Sequence, residues 1–449
     1  MSSLKRIYHV DAYDTKSSVG SYWEVMTPSP VQYPVLEGDT VCDVAVIGAG
    51  FTGLSSALHL AQDFGFAPVV LDAAQLGWGA SGRNAGFNCM GGGKISKAAY
   101  TKRWGDVDLA RYYQAQVRAT EVVAEIIEAN GVDVDAQPRG EWLMAHRQKD
   151  FENFSEDAAF LKRMVGVQSE IISKESLCEH GVNGAGFHGA MWSDVGFCLN
   201  PRKYLFGLAE GLRRAGGRIF CDTTVTQIKR ISDGRFALHT AKGCIVAERL
   251  VLAGNGYNSD NLPSWMAGRY TPVVSHIMVT DPIGDNMLVE QGWQVNQMAC
   301  DTRNMLHYFR LLPDSRMLFG MRGTANLGPR DQRRMPNAVR AAFDTMFPAL
   351  RGEYTAYHWS GLICVARNLV PYIGPIGDWR GAYTAMAFHG NGVSMASYSG
   401  KLLAGMVAGR PYKEPLPDAI QMEPKRYPVT RLRRLALPTA FKWYNWQDR

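Results

Sequence analysis

Several things the 449-residue chain does not have narrow what it can be. No apolar run approaches the ~18 residues of a spanning helix, so no membrane span is expected. The opening stretch MSSLKRIYHVDAYDTKSS has no apolar core of the kind a secretory leader needs, and a cytoplasmic location is expected. The eight cysteines form no C-x-x-C pair, which fits reduced, mostly buried thiols. No histidine, cysteine and carboxylate constellation has metal-ligand spacing, so no metal is expected, and no Ser-His-Asp order stands out. A strong charge bias is missing too. Net charge is +6, and its two small clusters (Arg330, Arg333, Arg334; Lys425, Arg426, Arg431, Arg433, Arg434) read as solvated surface, so no nucleic-acid partner is expected. Leu432, Leu435, Leu437, Phe441, Trp443 and Trp446 mix with the second cluster, a combination suited to peripheral membrane contact or, better, to docking on the protein's own body.

What is present is an α/β pattern. Residues 1–39 are polar and proline-containing and predict an extended arm. Asp43–Ile47 reads as a buried parallel strand, Thr52–Phe64 as a helix and Val69–Leu71 as a second strand, together a βαβ unit. Residues 96–165 show helical periodicity. Asn200-Pro201 opens another helix, with Asn at the cap and Pro in the first turn. Residues 266–325 are strand-rich, and a helix is expected over 337–347. A last strand from Gly381 to Ala387 leads through His389-Gly-Asn-Gly392 into a small-residue helix. The α/β pattern at both ends predicts a nucleotide-binding domain built from separated segments.

The chemistry begins at Gly48-Ala49-Gly50-Phe51-Thr52-Gly53, between the first strand and its helix. Gly48 permits the tight turn, Gly50 lets a pyrophosphate approach the backbone, and Gly53 lets helix and strand pack closely. The helix N-terminus offers free N–H groups to phosphate. Asp72, followed by Ala73, ends the second strand at the distance where a carboxylate meets a ribose diol. The next loop, Gly77-Trp-Gly79-Ala80-Ser81-Gly82-Arg83-Asn84-Ala85-Gly86-Phe87, combines small residues with donors. Arg83 is expected to bring charge to a phosphate. The glycines of Leu252-Ala-Gly254-Asn-Gly256 end a strand as expected beside a cofactor. The N–H groups of His389, Gly390, Asn391 and Gly392 are placed to stabilise negative charge on a reduced flavin.

Cys42–Leu60 and Gly79–Gly86, with the arm segment Trp23–Pro30, Asp301–Arg303 and Trp359–Gly361 leading to Pro371–Gly374, resemble the D-amino-acid oxidase-like family of FAD enzymes. Within it, they resemble the branch of bacterial gamma-glutamylputrescine oxidase and pipecolate-oxidising relatives. The resemblance implies an FAD-binding domain of Rossmann type from residues 40–95, 196–265 and 355–410. It also implies an α+β substrate domain with an antiparallel sheet from residues 96–195 and 266–354, and a tail from 411 to 449. It further implies oxidation of a C–N bond in a small amine by hydride transfer to flavin N5, followed by hydrolysis of the imine. Val225 resembles the family's adenine contact. Gly361 stands where some members carry a flavin-linked cysteine, which favours non-covalent FAD. Ala85 and Ser394 stand where sarcosine-type members clamp a carboxylate. No lysine occurs between Lys242 and Lys401, where such members carry a lysine that helps oxygen react. Two acceptors therefore stay open: oxygen, giving hydrogen peroxide, or a carrier or quinone served by a dehydrogenase. A non-catalytic flavin-binding subunit is a third reading, and oligomeric state is open. Tyr308, Arg322, His307 and Trp359 are the candidate substrate-site residues, with Arg310 and His358 beside them.

Overall fold

The computed structural model describes residues 4–324 and 328–448. The apolar run expected to be a buried strand forms Thr40–Ile47, in which Val44, Ala45 and Val46 are fully buried. Such a run needs cover on both faces, and it lies inside a sheet. On one side it pairs in parallel with Cys244–Leu252, and beyond that with Trp379–Met386. On the other it pairs in parallel with Val69–Leu71, and beyond that with Arg218–Phe220. Tyr372–Ile376 closes one edge antiparallel. The helices Phe51–Phe64 and Ser394–Val407 pack together on one face, where Ser55 Oγ donates to Ser397 O at 2.7 Å. Helix Pro201–Arg214 begins as expected, with Asn200 Oδ1 accepting the N–H groups of Arg202 and Lys203.

A second sheet runs Thr355–Val365, Thr271–Thr280, Met317–Thr324, His307–Leu311, Met298–Asp301, Glu141–Met144, Gly189–Ser193, Ser169–Ser173. It is mixed, not purely antiparallel: Met298–Asp301 and Glu141–Met144 run parallel. Alternate residues Met278, Phe309, Met317 and Phe319 pack under the helices Asp285–Gln291 and Pro329–Met346. Ile277, Val279, Leu318 and Trp359 face the other way, against Tyr22, Trp23 and Ala85.

Two expected boundaries move. Thr355–Val365, expected with the nucleotide-binding segments, pairs along its length with Thr271–Thr280 in the second sheet, so the crossover falls about ten residues later. The helical stretch expected over 96–165 is interrupted. A helix kinked at Gly105 runs Lys97–Asn130, then comes the strand Glu141–Met144, then the helix Phe154–Val165. The strand's neighbours across the sheet outweigh its local periodicity.

The arm lies on the body. Trp23 Nε1 donates to Asn84 O at 2.8 Å, Tyr22 Oη to Asp314 at 2.9 Å, and Arg202 Nε to Thr27 O at 2.8 Å. The C-terminal segment docks too: Arg433 is paired with Asp260 at 2.6 Å and is almost fully buried. Leu435, Trp443 and Trp446 face solvent. The side chains of Arg431 and Leu432 lie outside the described residues. No described helix is long and apolar enough to cross a membrane.

Candidate active site and cofactor groove

Gly48 holds φ +107°, and a Cβ there would sit 2.9 Å from Ala253 O; a Cβ on Gly53 would sit 1.9 Å from Gly48 O. Both turn and helix therefore require glycine. The helix that follows starts at Gly50 with no side-chain cap. Of its first amides, Phe51 N–H donates to Ser81 Oγ at 3.0 Å, and the free ones suit a phosphate. Asp72 Oδ2 accepts Ala49 N–H at 2.7 Å and Oδ1 accepts Ala74 N–H at 3.0 Å, tying the glycine turn to the end of the second strand. Burial pushes its carboxyl above the usual carboxylate range, and these two donors oppose the shift.

One long groove runs from here. Gly48, Ala49, Gly50, Phe51, Thr52, Asp72, Ala73, Gly79, Ala80, Ser81, Asn84, Val225, Gly254, His389, Gly390 and Gly392 line it. Six expected residues stand behind it. Gly53 packs on the turn, Ala85 on Trp23, and Gly86 on Leu199 O. Gly361 lies against the Arg83 stem, and Asn391 Nδ2 donates to Cys89 O at 2.9 Å. Arg83 brings no charge to a phosphate. Its guanidinium donates to Ser360 O at 3.1 Å and to Trp78 O, and stacks over the Trp78 ring at 4.6 Å, locking the loop to the second sheet. Sequence reasoning missed Arg6, Tyr257, Asn258 and Cys364, which also line the groove. The Gly254–Gly256 motif pointed to the middle two; no motif marked the arm.

His389 is a pin. Its Nε2 accepts Ala366 N–H at 3.2 Å, which leaves the proton on Nδ1 for Gly92 O at 3.1 Å. Burial pushes its imidazole down to about 3. The residue holds φ +54°, so its backbone faces the groove while its ring braces the turn.

Beyond this turn lies the groove-facing side of the second sheet. Tyr308 is on it, donating to or accepting from Ser275 Oγ at 2.8 Å. So is Arg322, whose Nη2 donates to His389 O at 2.7 Å and so reaches the end of the groove. His307 is not. Strand alternation turns it to the helix side, where Nδ1 bonds Asp301 Oδ2 at 2.8 Å and the ring stacks on Phe319. Trp359 is buried and donates to Arg83 O at 2.8 Å, a packing role. Arg310 is fully buried between Gln137 and Leu199 O, and His358 stacks on His276.

Unforeseen groups join Arg322. Lys94 extends from the glycine run Gly91–Gly93, its N–H held by Leu369 O at 2.8 Å. Its side chain is exposed, close enough to Arg322, Cys89 and Cys300 for their charges to act on it. Burial first, then Arg322, pushes its ammonium down to about 7. Glu141 is half-buried at the start of its strand. Burial pushes its carboxyl up to about 8, opposed by a bond from Met90 N–H. Cys89 and Cys300 sit among these groups and feel their charges, burial raising both thiols. A cluster of a held guanidinium, an amine pushed down to about 7 and a carboxyl pushed up to about 8 can hold an anionic group and exchange protons near neutral pH. Among the described residues no group of three or more His, Cys, Asp or Glu side chains is placed to hold a metal ion.

Comparison with known proteins agrees with this geometry. The family model for FAD dependent oxidoreductases, DAO, matches residues 43–406. Gamma-glutamylputrescine oxidoreductase of Escherichia coli (strain K12) is 29% identical over 436 residues, covering 96% of this chain and 98% of that protein. The fold superposes on iminodiacetate oxidase from Chelativorans sp. BNC1 with a TM-score of 0.68 at 17% identity, covering 84% of this chain and 98% of that one. It superposes on L-proline dehydrogenase from P. horikoshii with a TM-score of 0.66 at 19% identity, covering 85% and 96%. A chain whose glycine turn, Asp72 and Phe388–Gly392 turn share one groove, and which matches this model over most of its length, belongs to the DAO family of FAD-dependent oxidoreductases and is an enzyme that uses FAD.

Proposed function

We propose that the enzyme oxidises a C–N bond of a small amine that also carries an anionic end, of the gamma-glutamyl amine type, in the cytoplasm, with oxygen as acceptor and hydrogen peroxide as product. The observation that carries this reading is Arg322, bonded to His389 O at the end of the cofactor groove, with Lys94 close enough for the two charges to interact. Arg322 holds the anionic end and Tyr308 orients the polar chain. An ammonium cannot give up hydride, so the amine must first lose a proton. Lys94, which titrates near 7, accepts it, and Glu141, protonated below about 8, donates a hydrogen bond to the far end of the substrate. FAD, when bound, would supply the acceptor for hydride from the carbon next to nitrogen. Water then hydrolyses the imine. Cys364 lines the groove, but burial pushes its thiol up to about 12, which makes it a poor nucleophile and supports non-covalent FAD.

The test is anaerobic. The ~450 nm flavin band is followed during additions of gamma-glutamylputrescine, pipecolate, sarcosine, proline and D-amino acids. Bleaching by the gamma-glutamyl amine supports the reading, and bleaching by none rejects it. Return of the colour in air, with peroxide, distinguishes an oxidase from a dehydrogenase that needs a carrier.

A further inference from the structure

The glycine turn and helix N-terminus offer a pyrophosphate only partial charges, while that group carries about two full ones. Arg83 is turned away, and among the described residues lining the groove one arginine or lysine remains: Arg6, on the N-terminal arm. Leu4 and Thr15 of the arm line the groove beside it. The arm lies outside the family model, which begins at residue 43.

Arg6 is held for such a task. Its Nη1 donates to Tyr257 O at 3.0 Å and its guanidinium lies 4.5 Å from the centre of the Tyr13 ring. Among the described residues no carboxylate pairs with it. Burial pulls the guanidinium below its usual range, opposed by the Tyr13 and Tyr270 hydroxyls and by no carboxylate. An arginine left half-buried without an anion, facing a groove built for one, has unused donors in the planar fork that fits phosphate. The backbone on both sides is fixed. Lys5 N–H donates to Asn261 Oδ1 at 2.8 Å, and Lys5 O accepts Asp260 N–H at 3.0 Å. Tyr8 Oη donates to Pro272 O at 2.8 Å, and Arg434 donates to Ile7 O at 2.9 Å. Further along, Trp78 Nε1 donates to Ser17 O at 3.2 Å.

We propose that residues 4–15 form a strap across the cofactor groove and that Arg6 binds the pyrophosphate of FAD, the cationic role the sequence suggests for Arg83. The inference concerns cofactor retention and is independent of which amine is oxidised.

The experiment is titration of apoprotein with FAD, read by flavin fluorescence, for wild type, Arg6→Ala, Arg6→Gln and Arg6→Lys. Riboflavin, which has no pyrophosphate, is the control ligand. The expected result is FAD affinity about 10- to 100-fold weaker in Arg6→Ala and Arg6→Gln, the range for one charge-assisted bond. Arg6→Lys should recover most of it, with riboflavin binding and apoprotein melting unchanged. If Arg6→Ala yields no folded apoprotein, Arg6→Gln, which keeps a donor for Tyr257 O, carries the test. Wild-type FAD affinity in both variants overturns the proposal. So does an equal loss toward riboflavin, or a loss that Arg6→Lys does not recover.

Discussion

The cofactor groove and the side-chain cluster proposed to hold substrate meet at the Phe388–Gly392 turn and differ in what they present. The groove presents backbone: the Gly48–Gly50 turn, the start of the helix Phe51–Phe64 and the Gly390–Gly392 amides, with Asp72 closing the turn. The cluster presents long side chains from four separated segments: Lys94, Glu141, Tyr308 and Arg322. Backbone recognition suits an invariant ligand such as FAD. In the proposed reading these long side chains set the substrate, because each can change without disturbing the backbone that carries it.

Each region breaks in its own way. The largest effect is expected at Gly53→Val. Its Cβ would meet Gly48 O at 1.9 Å, more overlap than the roughly 3 kcal/mol of a tolerable overpacked core, so purified protein should lack the ~450 nm band. Arg322→Ala should keep that band and lose about 100-fold in kcat/KM, near the 1.5–3 kcal/mol of a bond to a charged group. Loss of flavin from this variant would show that the two regions are not separable. A smaller effect is the pH profile. Lys94 cannot accept a proton once it is an ammonium, so kcat/KM should fall as pH drops below about 7. Glu141 no longer donates once ionised, so the rate should fall again above about 8. Lys94→Gln should remove the acid limb and Glu141→Gln the alkaline one. Smallest for activity is His307→Ala, on the far face of the strand that carries Tyr308. It should leave kcat/KM within about twofold and cost about 1–2 kcal/mol in melting experiments, because buried Asp301 loses a partner.

These differences also govern what was legible in the chain. The groove's key parts are contiguous: glycine spacing, helix pattern and an acid about 20 residues on lie within one βαβ unit. The side-chain cluster has no such contiguity. His307 and Tyr308 are neighbours that the sequence offers equally, and only the phase of the strand sends one to each face. Glu141 lies in a stretch whose surroundings read as helix, and its strand exists because of partners at Met298–Asp301 and Gly189–Ser193. The interval 242–401 holds no lysine, but the glycine run ending at Gly93 delivers Lys94 from elsewhere. Arg83 read as a phosphate ligand because nothing local reveals that Ser360 and Trp78 claim it.

The bond from Arg434 to Ile7 O joins residues 427 positions apart. The contact therefore closes a loop of that length, and in the proposed reading it makes the strap's hold on the body depend on two segments far apart along the chain.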